Sequence, residues 1–330
     1  MALLVDEAHG AHLSFHRSLP PAALRSGADA CVHSLHKSAG GLTQTALLHV
    51  RGGLVDRRRL RQAASLLQTT SPSYLLMGSI DAARRELALN GEALVEEALK
   101  LAGKARRLLS CLEGLTVPGT AYAPRPGVAF LDPTRLVVNV RRAGLLGTWV
   151  EAALRAKGVQ VEYSDPFNLV VPVSPWDTEN EVDRLVAALA GILRAGGGTC
   201  WRAGRDGWQD WIGRYRAGNG PGGEGRAEEP LKDLAETLCG LWAHRPAPAA
   251  GLLEALSARC EMVPLEEAAG RVSGELVCPY PPGIPALVPG DLVTAAVVAG
   301  LAAMRDLGVR FQGAADPGLR NLSIITRWGS

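Results

Sequence analysis

The feature that most constrains the fold lies in residues 3–37, where two short apolar runs each end in polar side chains. The first is Leu3-Leu4-Val5, followed by Asp6-Glu7-Ala8-His9. The second is Ala30-Cys31-Val32-His33, followed by Ser34-Leu35-His36-Lys37. Both runs are expected to be buried strands that deliver their polar groups at the carboxyl-terminal ends. A loop and short helix around Leu19–Leu24 and Gly27 are expected between them. Such strand–helix alternation favours an α/β fold with a mainly parallel sheet and ligands at the strand ends. Thr45–Val50 predicts a third strand closed by Gly52-Gly53, and residues 55–67 a helix.

Between Pro72 and Leu112 the apolar positions Leu87, Leu94, Ala98, Leu101, Ala105, Leu108 and Leu112 recur at helical spacing. They predict one long helix with an apolar face, which Asn90-Gly91 is expected to bend or interrupt. Strands at 135–140 and 168–173 then flank a helix at 145–157, and Thr178 with Glu179 and Glu181 caps a helix running to Leu193. Residues 196–230 carry Trp201, Trp208 and Trp211 among glycines and arginines and read as an insertion or linker. Helices near 231–241, 249–259 and 290–306 and strands near 308–312 and 322–326 complete the pattern. The expected organisation is a large-domain portion with a linking helix (1–114), a small α+β domain (115–195), the insertion (196–230) and a C-terminal domain (231–330).

Composition narrows the function classes. A net charge of +2 over 330 residues gives no electrostatic reason to expect nucleic acid or membrane as a partner. The cluster Arg57-Arg58-Arg59 with Arg61 reads as the solvated face of a helix. The six cysteines are scattered without CxxC spacing, which argues against a disulfide framework or zinc knuckle and fits a reducing cytoplasm. No apolar run reaches membrane-spanning length, and Asp6 ends the first apolar run too early for a signal peptide. A soluble cytoplasmic protein is expected.

Three chemistries compete for the polar strand ends. Asp6-Glu7-Ala8-His9 spells a helicase acidic box, but the chain holds no phosphate-cradling GxxxxGK[ST] loop. Six of the seven histidines fall within the first fifty residues, a bias towards a polar site. Their HxxH and HxxxH spacings match no ligand pattern such as HExxH, so no metal is expected. The third reading pairs Asp6 with Lys37 around pyridoxal phosphate. A lysine amine forms the Schiff base, and a carboxylate opposite the pyridine nitrogen keeps the ring cationic and able to accept electrons. Ser34 and His36 are of the right types to donate hydrogen bonds to a phosphate. Taken singly, Asp6 reads equally well as a turn residue and Lys37 as a solvated surface lysine.

Val5-Asp6-Glu7-Ala8-His9-Gly10-Ala11-His12, Ser34-Leu35-His36-Lys37 and Gln68-Thr69-Thr70-Ser71-Pro72-Ser73-Tyr74 together resemble the Orn/Lys/Arg decarboxylase family. Pro264-Leu265-Glu266-Glu267-Ala268-Ala269-Gly270-Arg271 and Tyr280-Pro281-Pro282-Gly283-Ile284-Pro285 resemble its C-terminal domain. The resemblance implies a partial large domain of the aspartate-aminotransferase type (fold type I, pyridoxal phosphate-dependent), an α+β small domain and a C-terminal decarboxylase domain. It implies loss of the α-carboxylate of arginine, lysine or ornithine as carbon dioxide. Lys37 would carry the cofactor, Asp6 would face the ring nitrogen, and Ala8 and His9 would lie against the cofactor. Ser34 and His36 would bind the phosphate. Thr69 and Thr70 would reach the phosphate of a neighbouring subunit in a homodimer or higher homo-oligomer with shared sites.

In this family the aspartate-bearing strand comes late in the large domain, whereas here Asp6 stands six residues from the start of the sequence. A fragment or misplaced start codon is the expected cause, with a natural split as the alternative. Weak cofactor binding by this chain alone follows. Another fold type I enzyme such as an aminotransferase, or a silent chain with an interaction role, are the other readings. Glu162 could contact the basic end of a substrate or be structural.

Overall fold

A computed structural model describes residues 1–195, 246–280 and 283–327. The chain divides into two compact units, one of residues 1–138 and 170–187, the other of residues 139–169 and 188–330. The predicted helix near 231–241 and the tryptophan-containing segment lie outside the described residues.

The first unit contains a three-stranded sheet in the order β1-β2-β3, formed by β1 (Leu4–Asp6), β2 (Ala30–Ser34) and β3 (Ala46–Val50). β1 and β2 are parallel, as the strand–helix alternation predicts, but β3 runs antiparallel to β2. The reason is local. After the short helix α1 (Leu35–Ser38), the loop at 39–45 returns the chain directly beside β2 without a crossover. The expected burial of β1 is not found, since Leu4 is 69% exposed, and Val32 (38%) and Leu48 (48%) on the same sheet face are also open. The opposite face, bearing Cys31, His33 and His49, is largely covered.

Two helices follow the sheet in the chain. Helix α2 (Arg57–Leu67) is capped by Asp56, whose carboxylate accepts the Arg58 and Arg59 amides, and it buries none of its residues. Helix α3 (Tyr74–Ser110) runs unbroken through Asn90-Gly91, contrary to the expected interruption. Gly91 serves packing here: a Cβ at this position would sit 2.8 Å from the Phe15 ring. The buried stripe of α3 is Ala83, Leu87, Gly91, Val95, Ala98, Ala102, Ala105 and Leu109. Leu108, expected inside, is exposed, because the buried stripe runs through Ala105 and Leu109 and leaves Leu108 beside it.

β4 (Arg135–Asn139), α4 (Gly147–Ala156), β5 (Tyr163–Ser164), β6 (Asn168–Pro172) and α5 (Glu179–Ala195) follow in the expected order. At the start of α5 the Glu181 carboxylate accepts both the amide and the hydroxyl of Thr178, the glutamate half of a capping box. Within the first unit, Lys104 of α3 pairs with Glu179 and Asp183 of α5.

In the second unit, α6 (Leu252–Ser257) is shorter than expected because the chain turns into a strand at Arg259. That strand, β7 (Arg259–Pro264), pairs antiparallel with β10 (Asn321–Arg327), and β8 (Cys278–Tyr280) pairs with β9 (Arg310–Gln312). Neither β7 nor β8 is legible in the sequence: β7 alternates weakly and β8 contains Pro279. Helix α7 (Ala295–Asp306), capped by Thr294, packs Val297, Leu301 and Met304 into a core with Val263, Leu287, Phe311 and Ile324. Beside that core, the carboxylate of the buried Glu275 accepts the Ala315 and Ser323 amides, which supplies its hydrogen bonds.

Candidate active site

The residues Asp6, Ala8, His9, Ser34 and Lys37 converge where β1 and β2 end. Parallel pairing sets Asp6 beside Val32, and the Glu7 amide continues the ladder by donating to the Val32 carbonyl. The chain then turns: the Ala8 amide donates to the Asp6 carboxylate at 3.0 Å, and the Ala8 carbonyl accepts the Ser34 amide at 3.2 Å. These two bonds fix the β1 loop against the β2–α1 junction. One turn further, Lys37 Nζ lies 3.0 Å from His9 Nε2.

Ser34 occupies the N-cap position of α1, yet its hydroxyl makes no capping bond. His36 directs Nδ1 to the Thr45 carbonyl at 3.1 Å and is otherwise exposed. Asp6 and Lys37 are exposed as well. Thr69 and Thr70 are not brought to this cluster. They lie in the exposed segment between α2 and α3, where Thr69 Oγ1 accepts the Ser71 amide. Glu162 lies elsewhere, in the second unit, lining a cavity of about 540 Å³ with Tyr163, Tyr280, Arg155 and Arg310.

The histidine-rich start resolves mostly into separate pairs. Buried His12 meets Asp132 at 3.1 Å, His16 meets Glu96 at 3.0 Å, and His33 meets Glu7 at 2.7 Å. Burial alone would raise the Asp132 carboxyl, but His12 and both polar groups of Thr134 outweigh it and hold the pKa below the ordinary range. Arg135 was not singled out from the sequence. Its guanidinium donates to the His9 carbonyl at 3.3 Å and so supports the lysine's neighbour from β4. No local motif announces it, because the contact spans 126 positions.

The loop after Lys37 is shaped by two glycines. Gly40 has a φ of +78°, and a Cβ there would stand 2.5 Å from the Trp176 indole. A Cβ on Gly41 would meet Thr45 Oγ1 and Leu35. Only glycine combines the left-handed backbone with this closeness.

The fold is that of the basic amino acid decarboxylases of known structure. Lysine decarboxylase A from Pseudomonas aeruginosa matches with a TM-score of 0.74 at 19% identity, over 98% of this chain and 53% of that one. The constitutive lysine decarboxylase of Escherichia coli matches with a TM-score of 0.67 at 20% identity, over 90% and 49%. The large-domain portion is therefore α/β of the aspartate-aminotransferase type. The chain belongs to the Orn/Lys/Arg decarboxylase family: residues 1–118 match its major domain and residues 235–317 its C-terminal domain. Among curated relatives, the arginine decarboxylase of Bacillus subtilis (strain 168) is 36% identical over 98% of this chain and 60% of its own length. The arginine decarboxylase of Halalkalibacterium halodurans is 35% identical over the same shares. The constitutive lysine decarboxylase of Escherichia coli (strain K12) is 26% identical over 79% and 42%. The chain thus spans about 60% of the length of the arginine decarboxylases it matches.

Proposed function

We propose that this chain carries the lysine-bearing part of a pyridoxal 5'-phosphate-dependent decarboxylase that converts a basic amino acid to its amine and carbon dioxide. The observation that carries the reading is the convergence of Lys37, His9, Ala8, Ser34 and Asp6 at two parallel strand ends. The donor set fits the cofactor: a solvent-facing amine, a carboxylate on the neighbouring strand end, and a serine hydroxyl not used for capping. When bound, pyridoxal 5'-phosphate supplies a conjugated cationic ring that accepts the electron pair released with carbon dioxide.

The protein's own residues do the positioning. Lys37 offers Nζ for covalent attachment, and His9 Nε2 orients it. The Asp6 carboxylate, tethered by the Ala8 amide, would face the ring nitrogen and hold its proton. Ser34 Oγ and His36 Nε2 would donate to the phosphate, while Ala8 would border the ring. Thr69 and Thr70 would reach the phosphate of a neighbouring copy. Support for that last role is the exposure of Leu66, Leu67, Tyr74 and Leu75 around them, a surface suited to a homodimer contact. Asp6, His36 and Lys37 are all solvent-facing in this chain. Cofactor binding by the chain alone is therefore weak, and further polypeptide completes the site.

Arginine is the first substrate to test, because the arginine decarboxylases are 33–36% identical and the lysine enzymes 24–26%. Carbon dioxide release from arginine, lysine and ornithine, measured beside keto-acid formation on the protein completed to its relatives' length, tests the reading. Carbon dioxide with the matching amine supports it; keto acid without carbon dioxide would replace it with an aminotransferase. Among the described residues no helix is long and apolar enough to cross a membrane.

A further inference from the structure

The covered face of the β1-β2-β3 sheet carries a second cluster that the decarboxylase reading does not use. Cys31 and His33 alternate on β2 and so point to the same side. Glu7, one residue past β1, reaches the same side from the parallel neighbour. One donor atom from each of Glu7, Cys31 and His33 lies within 4.8 Å of the other two. Glu7 Oε2 is 2.7 Å from His33 Nε2, and Cys31 Sγ is 3.8 Å from the same nitrogen. The Glu7 and His33 side chains are only 11% and 13% exposed, and Cys31 is buried. His49 stands directly across from Cys31 in the ladder, its ring 4.7 Å from that of His33. Its Nε2 is buried without a hydrogen-bond partner.

We propose that Glu7, Cys31 and His33 form a binding site for a zinc-class divalent cation, with His49, which lies outside the 4.8 Å cluster of donor atoms, shifting in as the fourth donor. Sulfur, imidazole and carboxylate together are the donor set of a borderline ion that accepts tetrahedral geometry. Metal–ligand bonds of about 2.0–2.3 Å place tetrahedral donor atoms roughly 3.3–3.7 Å apart. Glu7 and His33 must therefore open by under about 1 Å from their hydrogen-bonded separation, while Cys31 is already near that spacing. Binding releases one proton to solvent from the Cys31 thiol, and His33 binds through Nε2 with its proton on Nδ1. Because the thiol must lose its proton to ligate, affinity rises with pH. Asp6 pairs with Val32, one position from Glu7 and on the opposite face of the sheet. The ion would fasten three strands together rather than enter the reaction, and the inference stands independently of the proposed activity.

The test is titration of the metal-free full chain with Co²⁺, followed by competition with Zn²⁺. The proposal expects one ion per chain with a thiolate-to-cobalt charge-transfer band, displaced by Zn²⁺. Cys31→Ser should abolish the band, whereas Cys260→Ser, an exposed cysteine outside the cluster, should keep it. The near-isosteric Glu7→Gln should weaken binding about tenfold or more and remove the rise in melting temperature that Zn²⁺ gives the unaltered chain. Absence of a stoichiometric band in the unaltered chain, or a band that survives Cys31→Ser, would overturn the proposal. The titration of the unaltered chain decides even if a variant does not fold.

Discussion

Lys37 Nζ and His9 Nε2 lie 3.0 Å apart, joining the helix after β2 to the loop after β1. The lysine is thereby held by an imidazole, a partner that leaves its amine available for covalent chemistry. The His9 main chain is itself held by Arg135 through its carbonyl. In the proposed site His9 would be a positioning residue, placed by a backbone contact that substitution of its side chain leaves intact.

Replacing His9 with alanine should leave the far-ultraviolet circular dichroism unchanged and lower pyridoxal 5'-phosphate affinity by about tenfold, the worth of one hydrogen bond to a charged group. Absorbance titration measures this. Unchanged affinity would place the imidazole outside the cofactor's surroundings.

The loop behind Lys37 predicts a stability effect. Gly40→Ala would place a Cβ at a left-handed residue and against Trp176. Backbone strain and overpacking each cost about 1–3 kcal/mol. The variant should therefore unfold at clearly lower denaturant. Adding Trp176→Leu should restore part of the loss, because only the steric share can be relieved.

The buried pair His12–Asp132 predicts acid sensitivity. The folded pKa of Asp132 is depressed, so its contribution is present above the unfolded carboxylate value of about 3.9 and disappears as pH falls through the lower folded value. Glu151 in the second unit behaves the same way: burial would raise it, but Ser164, Arg310 and Arg155 outweigh that. His12→Ala should cost about 3 kcal/mol near neutral pH by leaving Asp132 without its partner. Asp132→Asn should cost less and flatten the acid limb of the stability–pH curve. Urea melts between pH 3 and 7 check both.

Much of this was legible because the informative residues are local. The alternation of strand and turn around Asp6 and Ser34–Lys37 marked the candidate site, and the resemblance to Orn/Lys/Arg decarboxylases named the family to which the chain belongs. What escaped depends on contacts distant in sequence. Gly91 reads as a helix breaker until Phe15 is seen against it. Leu4 reads as core until the sheet face it shares with Val32 and Leu48 is seen to be open. The histidines at HxxH spacing suggest one polar site, yet His12 and His16 are paired off by Asp132 and Glu96. The potential ligands instead come together through strand register, which spacing along the chain does not reveal.

The central claim is that Lys37 is the residue to which pyridoxal 5'-phosphate attaches. Borohydride reduction of the cofactor-loaded protein, followed by peptide mass analysis, tests it directly, since the chain has only five lysines. A pyridoxyl adduct on the peptide containing Lys37, absent from Lys37→Ala, is the predicted result. An adduct on another lysine with Lys37 unmodified would contradict the account.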